Sequence, residues 1–531
     1  MSATSNAKLV RSETGSRRDA ERHELQDVIV GKDVLELVSS AMYVDPMTVY
    51  REYIQNAADA ADEARAGGWI EPGQPGRVDI AVDPATRSVR IRDNGCGVPF
   101  RDFGRKLTAL GGSSKRGTAA RGFRGVGRLA GLGYAQELIF RSRAPGEAKV
   151  SVLRWDCRRL KAALREADEN AGIADLIRGV TTLERLTVED APERFFEVEM
   201  KGVVRLRNDR LMSPAAIGEY LSQVAPVPFS PSFRFGAAIT DALSRHVNLG
   251  ELDIRIDGAE EPIYRPHRDC FALDGKAVIT FDGLDLIEVP NIDGDVAAVA
   301  WVLHHEYEGA LPTGTLVKGV RLRAGNVQVG EHFLLEDLFP EPRFNVWSVG
   351  EVHVVDRRIV PNGRRDHFEQ NAHFHNLLNH LTPTARDIAR RCRTSSVRRK
   401  WEREFELLAG TADEQLAILA QGGVGAGERQ RLALQTEQTL LKLAKIADME
   451  ILSGDGQMRS ERLAALRLRL MEVMDDTVTS ISPLMRLPEG QRTTYEHLFE
   501  LIYECSANRS AAKSLVDRIM LRLLDTGGAQ T

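Results

Sequence analysis

"YREYIQNAADAADEA", Tyr50–Ala64, is the stretch on which the reading of this chain turns. Residues four and seven apart share a helix face. Glu52, Asn56 and Asp59 therefore line up as an acid, an amide and an acid, while Tyr53, Ala57, Ala60 and Ala64 form a face of small residues able to pack closely on a sheet. Alone, the polar row suits a solvated face as well as a catalytic one. The flanking sequence has to choose between them.

Downstream, the pattern changes from helical to alternating. In "GRVDIAVDPATRSVRIRDNGCG" (76–97), Val78, Ile80 and Val82 share one face and Val89 and Ile91 another, with a turn at Pro84–Arg87. The second strand runs directly into Asp93, Gly95 and Gly97. A carboxylate at a strand end, beside glycines that let backbone approach, suits a purine amino group. Asn94-Gly95 also suits an ordinary tight turn. Next comes "LGGSSKRGTAARGFRGVGRLAGLG" (110–133), in which Gly122, Gly125 and Gly127 precede an apolar helix from Leu129 to Tyr134. Backbone N–H groups at a helix start bind phosphate. No GxxxxGK[ST] P-loop is present. "GVGRLA" has the spacing of the dinucleotide fingerprint but follows a polar, glycine-rich stretch instead of a strand, so that match fails.

At 531 residues the chain has room for about three or four domains. With 43% hydrophobic and 28% charged residues it reads as soluble and globular. A net charge of −5 gives no bulk attraction to nucleic acid or anionic lipid. No apolar run approaches the ~20 residues of a membrane span. The polar start lacks a signal-peptide core and is expected to be a mobile arm over residues 1–24. Cys96, Cys157, Cys270, Cys392 and Cys505 are scattered without a CxxC pair, so neither a disulfide framework nor a structural zinc site is expected. The expected location is cytoplasmic.

The overall class is α+β. Helices and strands mixed over 25–228 predict an α/β two-layer sandwich, a sheet covered on one side. The proline-rich "APVPFSP" (225–231) marks a boundary. A second α/β domain is expected over 232–371, with hairpins such as "GVRLRAGNVQVG" turning at Gly325-Asn326. An all-helical domain is expected over 372–531, with a loop or hinge at Gly422–Gly427 and an apolar stripe of Leu463, Leu466, Leu470 and Met474.

A helix with an acid and an amide, then a strand ending in D-x-G-x-G, then a loop ending in G-x-x-G-x-G: this order resembles the GHKL (Bergerat-fold) ATPases. These include gyrase B, histidine kinases, MutL and the ninety-kilodalton heat-shock chaperones, and the chain is most similar to the last. They read E-L-I-x-N-A-x-D-A where this chain has Glu52-Tyr-Ile-Gln-Asn56-Ala-Ala-Asp59-Ala. They read D-x-G-x-G at Asp93, Gly95 and Gly97, and G-x-F-G-V-G at Gly122-Phe-Arg-Gly125-Val126-Gly127. The resemblance implies a Bergerat ATPase domain that binds and hydrolyses ATP with Mg²⁺. It implies Glu52 as general base toward the attacking water and Asn56 as the Mg²⁺ ligand. It places Asp93 on the adenine amino group with Gly95 and Gly97 beside it, Asp59 among the nucleotide contacts, and Gly122, Gly125, Val126 and Gly127 around the phosphates. The segment from about Lys106 to Arg121 would be the ATP lid and carries Lys115.

A further match lies in "VVDRRIVPNGRRDHFEQN" (354–371). The chaperones' middle domain has V-D…L-P-L-N-x-x-R-E, whose arginine reaches the γ-phosphate. Asn362-Gly-Arg-Arg365-Asp366 shares that spacing, which places the role on Arg365 with Arg364 as its neighbouring rival. Two departures stand out. Val203 occupies the threonine position of the family's G-T-x-I strand, and 372–531 does not match the chaperones' dimerisation domain. The resemblance implies a homodimer acting on a client protein, and the leucine stripe is the candidate seam, with an internal core as the alternative. A competing reading is a DNA-handling ATPase of the MutL or Microrchidia kind. Its support is a basic run, Arg386, Arg390, Arg391, Arg393, Arg398, Arg399, Lys400 and Arg403 around Trp401. Glu402, Glu404 and the acidic whole chain weigh against nucleic acid.

Overall fold

The computed structural model describes residues 45–110, 121, 127–165, 172–272, 278–475 and 483–527. The expected arm, the helical pattern ahead of Asp45, Lys115, Gly122, Gly125 and Val126 lie outside these residues.

Helix α1 (Thr48–Ala66) starts where the Asp45 carboxylate accepts the Met47 N–H at 3.0 Å. It buries Tyr53, Ala57, Ala58, Ala61 and Ala64. Strands β1 (Gly76–Asp83) and β2 (Ser88–Asp93) follow as an antiparallel hairpin with Ile80 opposite Ile91. Its turn is held by Asp83, which accepts from Ala85 N–H at 2.9 Å and from Thr86 Oγ1 at 2.6 Å. After α2 (Phe100–Thr108) and a 3₁₀ helix (Gly127–Gly133) come β3 (Glu137–Arg143), β4 (Val150–Asp156), α3 (Cys157–Arg165), α4 (Ile173–Val180), β5 (Thr181–Leu186), β6 (Phe195–Lys201) and α5 (Pro214–Val224). Ser213 caps α5, and Pro214 fits its first turn.

The sheet has seven strands in the order β5-β4-β3-β6-β2-β1-β7. β7 (Leu252–Ile256) runs parallel to β1, and every other pairing is antiparallel. One face packs with α1 and the 3₁₀ helix in a single apolar core. Among the residues on the other face is a ladder of ions in which Glu197 takes Arg92 at 2.6 Å and Arg141 at 2.7 Å. That alternation is what lets an antiparallel sheet face water on one side. Val203, at the expected threonine position, is buried and donates its N–H to Arg87 O at 2.8 Å. The first compact unit comprises the chain up to Pro228 together with Gly250–Arg265. The stretch that supplies β7 thus lies beyond the proline-rich boundary, and Leu252 N–H bonds back to Pro226 O at 2.9 Å.

The second unit is built on a five-stranded sheet, β10 (Gly283–Pro290), β11 (Val296–His304), β14 (Val349–Val354), β12 (Gly319–Ala324) and β13 (Val327–Val329), in that order. It also includes α6 (Gly236–Ser244) and a hairpin of β8 (Cys270–Ala272) and β9 (Val278–Thr280). Helix α7 (Ala372–Gln421) begins at Asn371, whose side chain accepts the Phe374 N–H at 2.9 Å. Phe374, Leu377, Leu381 and Ile388 from its first half join the core of that sheet. Phe405, Ala409, Leu416 and Leu419 from its second half join a helical core with α8 (Ala426–Ala447) and α9 (Gly456–Met474). One helix thus serves both regions. Gly422, at φ +66°, ends it. Helices α10 (Glu489–Cys505) and α11 (Arg509–Gly527) close over Phe499, Val516 and Met520.

For the leucine stripe of α9 the structure has the internal core, the alternative to a dimer seam. Leu463, Leu466 and Leu470 are buried in the chain's own helical core, and only Met474 is exposed. An apolar stripe covers itself with the nearest apolar partner, and α7 and α8 supply one. Among the described residues no helix is long and apolar enough to cross a membrane.

Candidate active site

The polar row of α1 is not a solvated face. Glu52 is 7% exposed and Asp59 3%, and Asn56 is half-buried. Burying a carboxylate is costly unless it is paired or hydrogen-bonded. Arg51 Nη2 lies 3.6 Å from Glu52 Oε1. Gly127, the last glycine of the loop, packs directly on the same carboxylate. A Cβ at Gly127 would overlap Glu52 Oε2 and lie 3.0 Å from Cδ. Beyond it, Gly131 N–H donates to the Tyr53 hydroxyl at 3.0 Å. Burial raises the pKa of that phenol and keeps it neutral. Two motifs distant in sequence are thereby joined, one at each end of the 3₁₀ contact.

Asp93 ends β2 at 7% exposure, and its Oδ1 accepts Gly95 N–H at 2.9 Å. The glycines beside it are required by space. A Cβ on Gly95 would come within 2.5 Å of Ala60 Cβ and 2.8 Å of Asp93 Oδ1. Gly97 has φ +64°, and a Cβ there would overlap Arg143 O. An ordinary Asn-Gly turn would not need both. Arg194 holds the loop from outside, donating to the carbonyls of Asn94 and Gly95 (2.9 Å to the latter) and to Trp69 O at 2.6 Å. Cys96 sits 3.2 Å from Glu63 Oε2, and burial, Glu63 and Asp93 push its thiol up to about 12.

Asp59 has a protein partner. Its Oδ1 accepts the Arg121 N–H at 2.9 Å and lies 3.5 Å from Arg121 Nη1, which also reaches Asp62 Oδ2 at 2.6 Å. Sequence reasoning missed this use of Arg121 and gave Asp59 to the nucleotide. The available signal was a basic residue directly before the G-x-x-G-x-G loop, with acids three apart on α1. For Arg194 the sequence offered none.

Arg365 belongs to the second unit. Its loop is closed by a bridge between Pro361 and Phe368 and by Asn362, which donates its N–H to His367 O at 2.8 Å and its amide Nδ2 to Asp366 Oδ1 at 2.6 Å. Arg365 has φ +56° and is 8% exposed, whereas Arg364 is exposed. A non-glycine residue in the left-handed region costs about 1 kcal/mol or more and persists only where its surroundings impose it. Here Arg365 N–H donates to Asn362 O at 3.2 Å, and Arg365 O accepts from Gly330 N–H at 2.9 Å.

Among the described residues no group of three or more His, Cys, Asp or Glu could hold a metal. Asn56, half-buried on the same helix as Glu52, offers an amide oxygen of the hard-donor kind that suits Mg²⁺. The basic run on α7 is largely engaged: Arg391 pairs with Asp387 at 3.1 Å, Arg393 with Glu341 at 2.8 Å, Arg398 with Glu306 at 2.9 Å, and Arg390 with Asp387. Arg399 lies over the ring of Trp347 and Lys400 over that of Trp401.

Residues 44–173 match the family model described as histidine kinase-, DNA gyrase B- and HSP90-like ATPase. The chain is similar to chaperone protein HtpG of Polaromonas naphthalenivorans, 26% identical over 204 residues that cover 34% of this chain and 30% of the relative. For the protein of the same name from Chromobacterium violaceum the figures are 28% over 200 residues, covering 34% and 30%. For that of Idiomarina loihiensis they are 25% over 231 residues, covering 40% and 34%. The chain spans about a third of the length of the curated relatives it matches.

Proposed function

We propose that this chain, whose N-terminal unit is a GHKL ATPase domain close to the HSP90-like chaperones, binds Mg-ATP and hydrolyses it to drive a conformational change. The observation that carries the reading is Gly127 packed without a side chain on the buried Glu52 carboxylate. It brings a phosphate-type loop and a candidate base into one place. Glu52 orients and deprotonates the attacking water. Asp93 receives the adenine amino group, and Asn56 would hold the Mg²⁺, which when bound would supply charge neutralisation on the phosphates. Arg365 offers its guanidinium to the transferring phosphoryl group, where a fixed cation acts most strongly.

A client protein is an expected partner, as the relatives' chaperone names suggest, and a second copy of the chain is the other. The DNA-handling alternative is weakened by the acids that engage the α7 arginines. The test is ATP turnover of the full chain, alone, with an unfolded protein, and with duplex DNA across salt concentrations. Turnover stimulated by the unfolded protein supports the chaperone-like reading. Salt-sensitive stimulation by DNA replaces it with the MutL-like one, and no turnover under any condition overturns both.

A further inference from the structure

Arg121 is buried, 3% exposed at its side chain, beside the nearly buried Asp59 and the partly buried Asp62. Its backbone N–H is bound to Asp59 and its guanidinium to Asp62. From the far side it rests on Gly250, a residue at φ +51° where any Cβ would overlap the guanidinium. Gly250 opens the segment that supplies β7 to the same sheet. Thus α1, the residue just ahead of the G-x-x-G-x-G loop and the β7 segment meet at one cation.

We infer that Asp59, Asp62, Arg121 and Gly250 form a latch that ties the β7 segment to the helix carrying Glu52, with Arg121 as a positioning residue for nucleotide. This rests on the ATP-binding reading above. The geometry gives the latch its purpose. Arg121 immediately precedes Gly122, and the loop ends at Gly127 against Glu52. Residues 121 and 127 are therefore each held on α1, near Asp59 and near Glu52, which lie seven residues or about two turns apart on the helix. A residue already held in place before nucleotide arrives loses less entropy on binding. The charge match is also local: one guanidinium meets two carboxylates on successive turns, and Arg presents its donors as a rigid fork.

The test uses the full chain and two readouts. The first is hydrogen exchange at the residue 121 amide without nucleotide. The second is affinity for a fluorescent ATP analogue. Arg121→Ala, Asp62→Asn and Gly250→Ala should each speed that exchange and weaken binding by about tenfold or more, since small misplacement of a binding group costs up to ~10²-fold. Gly250→Ala should cost clearly less in the Arg121→Ala background than in the wild type, because its clash with the guanidinium is gone and only the strain of its positive φ remains. A Gly250 needed only for its backbone angle would cost as much there as in the wild type, and additive effects would overturn the latch. Fast wild-type exchange unchanged by the variants would overturn it too, as would faster exchange with unaltered affinity. Arg121→Lys, which keeps the charge, guards against misfolding and should fall between Ala and wild type. A wild-type chain that protects residue 121 yet binds no nucleotide would overturn the ATP reading and with it the positioning role, while leaving the ionic contact itself standing.

Discussion

Helices α1 and α9 are each 19 residues long, and each carries a row of residues at three- and four-residue spacing that the fold covers wholly or, at Asn56, in part. In α1 the row is Glu52, Asn56 and Asp59. In α9 it is Leu463, Leu466 and Leu470. Burying leucine is favourable by itself and needs only an apolar neighbour. Burying a carboxylate is unfavourable until something compensates it. The same periodicity therefore carries different information. The α9 stripe says only that it is covered, and the chain's own α7 and α8 cover it. The α1 row says that compensation was built around it, and that compensation includes Arg51 and Arg121, with Gly127 leaving room for the Glu52 carboxylate.

The difference can be tested at its extremes. Arg365 is the second unit's counterpart of the α1 row, a polar side chain buried in an unfavourable backbone conformation. Arg365→Ala should lower turnover by about 10³-fold, at the low end for an arginine acting on a transferring phosphoryl group, with nucleotide affinity retained in a binding titration. Full turnover would make its strain a matter of loop structure alone. In α9, Leu466→Ala should cost about 2–5 kcal/mol of stability, read by denaturant unfolding, with turnover per folded molecule unchanged. If turnover fell while stability held, the stripe would carry more than packing.

Asp93→Asn tests the acid outside α1. An amide can present a donor where an acceptor is needed, so nucleotide binding should weaken by about 1–3 kcal/mol, measured by titration with a labelled nucleotide. Equal affinity would place adenine elsewhere. The smallest effect is expected at Cys96. With its thiol pushed up to about 12, it stays protonated across neutral and mildly basic pH and gains reactivity only as pH approaches that value. At pH 8, alkylation followed by peptide mass spectrometry should mark the exposed Cys270 and Cys505 well before Cys96, with turnover unaffected at that stage.

What was legible in the sequence follows the same division. The placement of Glu52 and Asn56 on one helix and of Asp93, Gly95 and Gly97 at a strand end could be read because each is tied to a position in a local motif. The sheet and helix classes were legible from periodicity, and the structure has the expected mixed α/β first unit and helical end. Long-range closure was not legible. β7 pairs in parallel with β1 from beyond a proline-rich segment that looks like a boundary, and no local pattern announces a partner so distant. Arg121 and Gly250 meet only in the fold. Arg364 and Arg365 have identical chemistry in sequence, and only backbone angle and burial separate them. The α9 stripe was legible as buried, but a helical period does not name what covers it.

The central claim is that the buried acid of α1 is there for chemistry on ATP. It is tested most directly with Glu52→Gln in the full chain, comparing nucleotide binding, steady-state turnover and thermal unfolding with the wild type. The amide keeps the shape against Gly127 and removes the base. Binding should stay within a few-fold and the unfolding temperature should not fall, while turnover drops by about 10²–10⁴-fold. Turnover equal to wild type, or a loss of turnover matched by a loss of folded protein, would contradict it and return Glu52 to the same purely structural standing as Leu466.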